Sequence, residues 1–92
     1  MATQTIYKYP LQVDDETTIK MPLGAKILTV QEQGGVPCIW ALVNDSVPKK
    51  ERTFLLLGTG QRCEDLRICE SNYIGTFQLA GGRFVGHLFE AR

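Results

Sequence analysis

His87 is the only histidine in the chain, so any proton transfer or metal binding by an imidazole rests on it. General acid–base catalysis needs a partner within hydrogen-bond reach of the reacting proton, and a zinc site needs three or four ligands. The three cysteines, Cys38, Cys63 and Cys69, include no CxxC pair, and the interval between Cys63 and Cys69 is not a usual ligand spacing. A Cys–His nucleophile pair also needs an orienting group and an oxyanion donor, and no local signature supplies either. Asp14, Asp15 and Glu16 are adjacent, whereas a calcium loop places acids at alternate positions around a central glycine. The three acids therefore read as a solvated turn, and His87 as a packed or solvated strand residue.

The stretch LGTGQR, Leu57 to Arg62, follows an apolar run and carries Gly58 and Gly60. Phosphate cradles are glycine-rich loops in such places, but neither GK[ST] nor GxGxxG is present. Backbone N–H groups near Gly58 and Gly60 would hold a small anion with Arg62, and Arg83 is a second anion partner; a plain turn asks for the same glycines. Lys49, Lys50 and Arg52 form the one basic cluster, interrupted by Glu51, and read as a solvated loop. Nucleic-acid modules show a basic face interleaved with aromatics, so a nucleic-acid partner is not expected. Tyr7, Tyr9, Tyr73 and Trp40 remain. Tyrosine and tryptophan are favoured at protein interfaces, and a small core uses the same residues.

The elements that must position these groups are strands of one small domain, residues 1–92. A chain of 92 residues hides about 60–65% of its unfolded surface, enough to fold alone with little stability to spare. Lysine plus arginine balance aspartate plus glutamate at 10 each. The zero net charge gives no steering toward nucleic acid or an anionic membrane and weakens the repulsion that keeps small proteins apart. The N-terminus lacks a secretory pattern, apolar runs are too short to span a bilayer, and the odd cysteine count fits a reducing compartment. A cytoplasmic location is expected, with no disulfide, metal or cofactor.

Residues Thr5 to Pro10 alternate, with Tyr7 and Tyr9 on one side and Ile6 and Lys8 on the other. Thr17 to Pro22 is β-branched and stops at proline. Gly34-Gly35 forms a tight hairpin turn. Pairing then follows by arithmetic: Gln33 with Val36, Gln31 with Cys38, Thr29 with Trp40 and Ile27 with Leu42. On the other face, Val30 meets Ile39 and Leu28 meets Ala41, and this more apolar face is assigned to the core. Pro37 implies an edge position or a bulge nearby. Asn44 to Glu51 reads as a polar loop. Phe54 to Leu57 is a continuous apolar run suited to a strand buried on both faces. Gln61 to Asn72 fits a short strand or irregular structure; on a helix, Cys63, Leu66 and Cys69 would share one face.

A second hairpin turns at Gly81-Gly82. Leu79 faces Phe84, Phe77 faces Gly86, Gly75 faces Leu88 and Tyr73 faces Glu90. The reverse face pairs Gln78 with Val85, Thr76 with His87 and Ile74 with Phe89. A large residue meets a glycine twice, which lets a ring lie over backbone and lets the sheet bend. Six to seven short antiparallel strands predict an all-β fold, a small sandwich or partly open barrel. Its free edges and zero net charge point to a homodimer.

The phrases MPLGAKILTVQ, PCIWALV, ERTFLLLGTG and IGTFQLAGGRFVGHLFE together resemble a family of short uncharacterised proteins found in phage genomes and in bacteria carrying prophages. The resemblance runs from about Thr5 to Ala91. It implies a small cytoplasmic accessory protein in an infected or lysogenic bacterium, and it transfers no functional residue. Gln61 to Asn72 looks like the variable part, which weakens a metal or redox role for Cys63 and Cys69. Two function classes follow. The first is a non-catalytic binder of a host protein. The second is a binder or sponge for a small anionic ligand such as a nucleotide signal, with a pocket expected at a dimer interface and built from Gly58, Gly60, Arg62 or Arg83 with Trp40 or a tyrosine stacking on the base. An enzyme is the remote third, since a nucleophile, base or metal set is missing.

Overall fold

The computed structural model describes residues 3–91. Seven strands form two antiparallel sheets: β1 Gln4–Pro10, β2 Glu16–Pro22, β3 Lys26–Gln33, β4 Val36–Asn44, β5 Lys49–Gly58, β6 Tyr73–Leu79 and β7 Phe84–Glu90. The first sheet has the order β1-β4-β3 and the second β2-β5-β7-β6. The expected all-β sandwich is what the chain adopts. The sheets are not closed into a barrel, although β3 and β6 draw together along one side.

The first turn is set by Gly34 and Gly35, with φ of +60° and +85°. Two successive positive values are the requirement of a type I′ hairpin. The Glu32 carboxylate accepts the Gly35 N–H at 2.7 Å. Pairing runs as the glycines dictate as far as Thr29 with Trp40, and then a bulge at Leu28 shifts it by one. Ile27, not Leu28, meets Ala41, and Lys26 meets Leu42. The shift reverses the expected assignment: Ile27 packs against the core and Leu28 is turned out, 51% exposed. A one-residue slip moves a side chain to the other face. Pro37 lies in the central strand of its sheet, not at an edge, opposite Glu32 on β3 and just past the last residue of β1. Its missing N–H therefore falls where β1 has ended.

The second turn is a four-residue loop, Ala80 to Arg83, between the paired Leu79 and Phe84. Ala80, Gly81 and Gly82 all have positive φ. Phe77 opposite Gly86 and Gly75 opposite Leu88 hold, and a bulge at Ile74 then sets Tyr73 against Phe89 in place of the expected Tyr73–Glu90 and Ile74–Phe89 pairs. The two glycines serve different ends. A Cβ on Gly86 would sit 2.7 Å from Phe77 Cζ and 2.9 Å from Leu56 Cδ1, so the ring does lie over that backbone. A Cβ on Gly75 would meet Val30 Cγ1 at 3.0 Å; this glycine admits β3 from the other sheet and does not host a ring.

Between the sheets, Met21, Ile39, Ala41, Val43, Phe54, Phe77 and Leu88 are buried. Lys49, Lys50 and Glu51, expected in a loop, belong to β5 and pair with Pro22, Met21 and Lys20 of β2. Partner strand pairing overrides their local composition. Arg52 is likewise not a solvated loop residue. Its guanidinium makes a two-pronged ion pair with Glu90, at 2.6 and 2.7 Å, and also donates to the Ala25 carbonyl. The Glu90 hydrogen bonds hold the Arg52 pKa above its usual value against the opposing effect of burial.

Residues 61–72 are neither helix nor strand apart from a short 3-10 turn, Glu70–Asn72. They cover the outer side of β5, where Leu55 is buried beside Ile68 and Cys63. This cover explains why Phe54 to Leu57 is apolar throughout. The Asn72 amide fastens the segment by donating to the Arg67 and Glu90 carbonyls, both at 2.6 Å. Arg67 pairs with Asp65 and with Glu16 at the start of β2. Hydrogen bonds from Arg67 hold the Asp65 carboxyl at about 2, below its ordinary 3.8. A depressed folded-state pKa means this contact contributes fully above about pH 4 and is lost as pH falls through about 2. An NMR titration of the Asp65 carboxyl is expected to show a midpoint near 2; a midpoint at the ordinary value would show that the Arg67 contact is not formed.

Candidate functional site

Alternation sorts the first sheet into two faces. Ile39, Ala41 and Val43 point to the core. Val36, Cys38, Trp40 and Leu42 on β4 point the other way, joined by their cross-strand partners Ile6 and Lys8 on β1 and Lys26 and Thr29 on β3. Among the described residues no second layer of secondary structure packs on this outer face. Ile6 is 57% exposed and Val36 41%, while Trp40 and Leu42 are half-buried. Lys8 crosses Trp40, with Nζ 5.9 Å from the ring centroid, and reaches Gln33 Oε1 at 2.7 Å. The formal charges on this face, Lys8 and Lys26, are both positive although the chain as a whole is neutral. The strand β4 is apolar on both faces, VPCIWALV. That was the available sign that its second face is not an ordinary polar one.

Tyr7 and Tyr9 are on the inward side of β1, opposite Ala41 and Ile39. Their rings meet edge-on at 6.4 Å. Tyr9 packs against the core, and burial raises its pKa. The Tyr7 hydroxyl donates to Asp45 Oδ2 at 3.0 Å, and this bond to a carboxylate raises the phenol pKa. Neither tyrosine shares the outer face with Trp40.

Gly58 ends β5, Gly60 and Arg62 follow it, and Arg83 immediately precedes β7. Gly58 pairs with Gly86, and a Cβ on Gly58 would meet the Phe84 ring at 3.3 Å. Gly60 has φ +85°, so the turn itself requires it. Three of the N–H groups around this turn are engaged: Gly58 N donates to Gln61 Oε1 at 2.9 Å, Thr59 N to Val85 O at 3.0 Å, and Gln61 N to Gly58 O at 3.0 Å. Trp40 lies on the far side of the other sheet, so the structure does not bring its ring to Arg62 or Arg83.

His87 is on the outer face of the second sheet, opposite Thr76 and Leu57. Both ring nitrogens are within hydrogen-bond reach of threonine hydroxyls, Nε2 of Thr59 Oγ1 at 2.6 Å and Nδ1 of Thr76 Oγ1 at 2.8 Å, and Thr76 is 2.6 Å from the Tyr73 hydroxyl. The sequence places Thr76 beside His87 through the hairpin register; the approach of Thr59 from the end of β5 had no local signal. Cys38 is buried, and Cys63 and Cys69 are exposed. Among the described residues no three or more His, Cys, Asp or Glu side chains gather as a metal site, and no helix is long and apolar enough to cross a membrane. Two open grooves of about 560 Å³ each meet at Glu90 and Ala91; of the residues that the sequence singled out, Tyr73 lines one and Lys50 and Arg52 line the other.

No curated protein and no solved structure matches this chain. A family model does match, over residues 2–92, and the chain belongs to that family, the domain of unknown function DUF7352.

Proposed function

We propose that the protein acts by non-catalytic binding and that the outer face of the β1-β4-β3 sheet is its contact surface. The partner is a host protein, met in the cytoplasm of an infected or lysogenic bacterium, and the role is that of a small phage-type accessory protein. The observation that carries this reading is the row Ile6, Trp40, Leu42 and Val36 on a sheet face left without a covering layer among the described residues. A tryptophan flanked by exposed apolar residues is the usual composition of a binding hot spot. With Lys8 and Lys26 as its formal charges, the face suits a partner whose apolar patch is rimmed by carboxylates. The anion-binding alternative draws less support, because the N–H groups of Gly58, Thr59 and Gln61 are bonded internally.

Affinity capture from bacterial lysate with three baits tests the choice. Trp40→Ala and Val36→Asp are expected to weaken capture about 10–30-fold, as hot-spot losses of roughly 1.4–2 kcal/mol would. The paired change Arg62→Ala with Arg83→Ala is expected to leave capture intact. Capture that survives the first two changes and fails with the third would move the contact to the other end of the molecule.

A further inference from the structure

We infer that β1 is a homodimerisation edge at which two copies pair antiparallel about Ile6, joining their β1-β4-β3 sheets into one. The proposal does not rest on the host-protein reading above. The argument begins with which backbone groups are free. Leu11 N donates to Pro37 O, and with the register Pro10 to Cys38 this places Thr5, Tyr7 and Tyr9 as the β1 residues bonded to β4, because antiparallel pairs alternate. The N–H and C=O groups of Gln4, Ile6 and Lys8 therefore point along the open edge, and among the described residues no other backbone bond takes them up. An edge of this kind is a template for another strand.

The other three edges are less available. The β3 edge is drawn against β6, with Val30 on Gly75. The β2 edge, which like β1 ends in proline, carries two charges, Glu16 and Lys20. On β1 the single charge, Lys8, is directed inward across Trp40 to Gln33 and does not guard the edge. Self-pairing also selects a register. With Ile6 opposite Ile6 of the second copy, Lys8 faces Gln4, Tyr7 faces Thr5, and both bonds of each alternate pair form. Centring on Lys8 would set two ammonium groups face to face, which is destabilising. The neutral chain adds no long-range repulsion to the encounter. The pairing sets the two Ile6 side chains side by side and makes the outer faces of both copies continuous.

Ile6→Pro is the discriminating variant. It removes an N–H that makes no bond within its own chain, at an edge position where proline is tolerated. Sedimentation of the wild-type protein at rising concentration is expected to reach twice 10.3 kDa. Ile6→Pro is expected to stay at the monomer mass with its melting temperature within a few degrees of wild type. The register is read separately, with Cys63 and Cys69 both replaced by serine. Ile6→Cys is expected to cross-link on mild oxidation, since directly opposed residues lie within disulfide range, whereas Lys8→Cys is not. A wild-type protein that stays monomeric, a dimer indifferent to Ile6→Pro, or cross-linking at position 8 in preference to 6 would each overturn the proposal. None of these results bears on capture by Trp40.

Discussion

Gly86→Val is expected to lower unfolding stability by about 3 kcal/mol, at the upper end of what overpacking a filled core usually costs. The Gly86 backbone does not need glycine for its conformation, since its φ is not among the positive ones. The cost is therefore steric. A β-carbon there would overlap the Phe77 ring at 2.7 Å and Leu56 at 2.9 Å. Both neighbours are held: Phe77 is 4% exposed and Leu56 8%, and the Phe77 ring also lies 6.3 Å from that of Phe84. For a domain of this size a loss of that order lowers the melting temperature by roughly 12–24 °C. Urea unfolding of Gly86→Val, Phe77→Leu and the double variant measures the coupling. The double variant is expected to be more stable than the sum of the single losses predicts, by more than about 1 kcal/mol, because the smaller side chain makes room. Simple additivity would mean that the ring and the glycine do not touch.

Phe54→Ala is expected to be costlier still, about 3–5 kcal/mol, from lost transfer energy and the cavity left behind. Phe54 is 1% exposed and sits in one cluster with Met21, Ile39 and Leu88, so both sheets contribute to its surroundings. A domain has only about 5–15 kcal/mol in hand, so this variant would be partly unfolded at moderate temperature. Leu66→Ala is the matching control. Leu66 is 99% exposed, and its loss is expected to change stability by less than about 0.5 kcal/mol. Similar losses at the two positions would show that Phe54 is not central to the core.

Hairpins were legible where glycine pairs fix both the turn and the register. Gln33 with Val36 and Leu79 with Phe84 follow from Gly34-Gly35 and Gly81-Gly82 by counting, and so does each further pair up to the bulges at Leu28 and Ile74. Those bulges were not legible. They sit on β3 and β6, the strands that draw together from different sheets, and nothing local announces that meeting. The same holds for Lys49 to Glu51, whose turn-like composition yields to pairing with β2. Long-range pairing of β1 with β4 was likewise outside the reach of local pattern; the alternation separated Tyr7 and Tyr9 from Ile6 and Lys8 but did not say which pair faces the core. Residues 61–72 lack a period because side-chain bonds to Asn72 and Arg67 hold them, not a ladder.

The candidate site was legible in part. Trp40 was placed on the face opposite the core by the hairpin register. Its neighbours Ile6 and Lys8 arrive from β1, so the row they form needed the tertiary structure. Within one chain the two sheets separate Trp40 from Arg62 and Arg83.

Trp40 is the only tryptophan, so its fluorescence reports on the outer face of the first sheet alone. If that face is the working surface, acrylamide will quench the isolated protein, and quenching will fall with a blue shift in emission as the captured partner saturates it. Quenching and emission unchanged at saturation would mean that the partner binds elsewhere and that this face is not the contact surface.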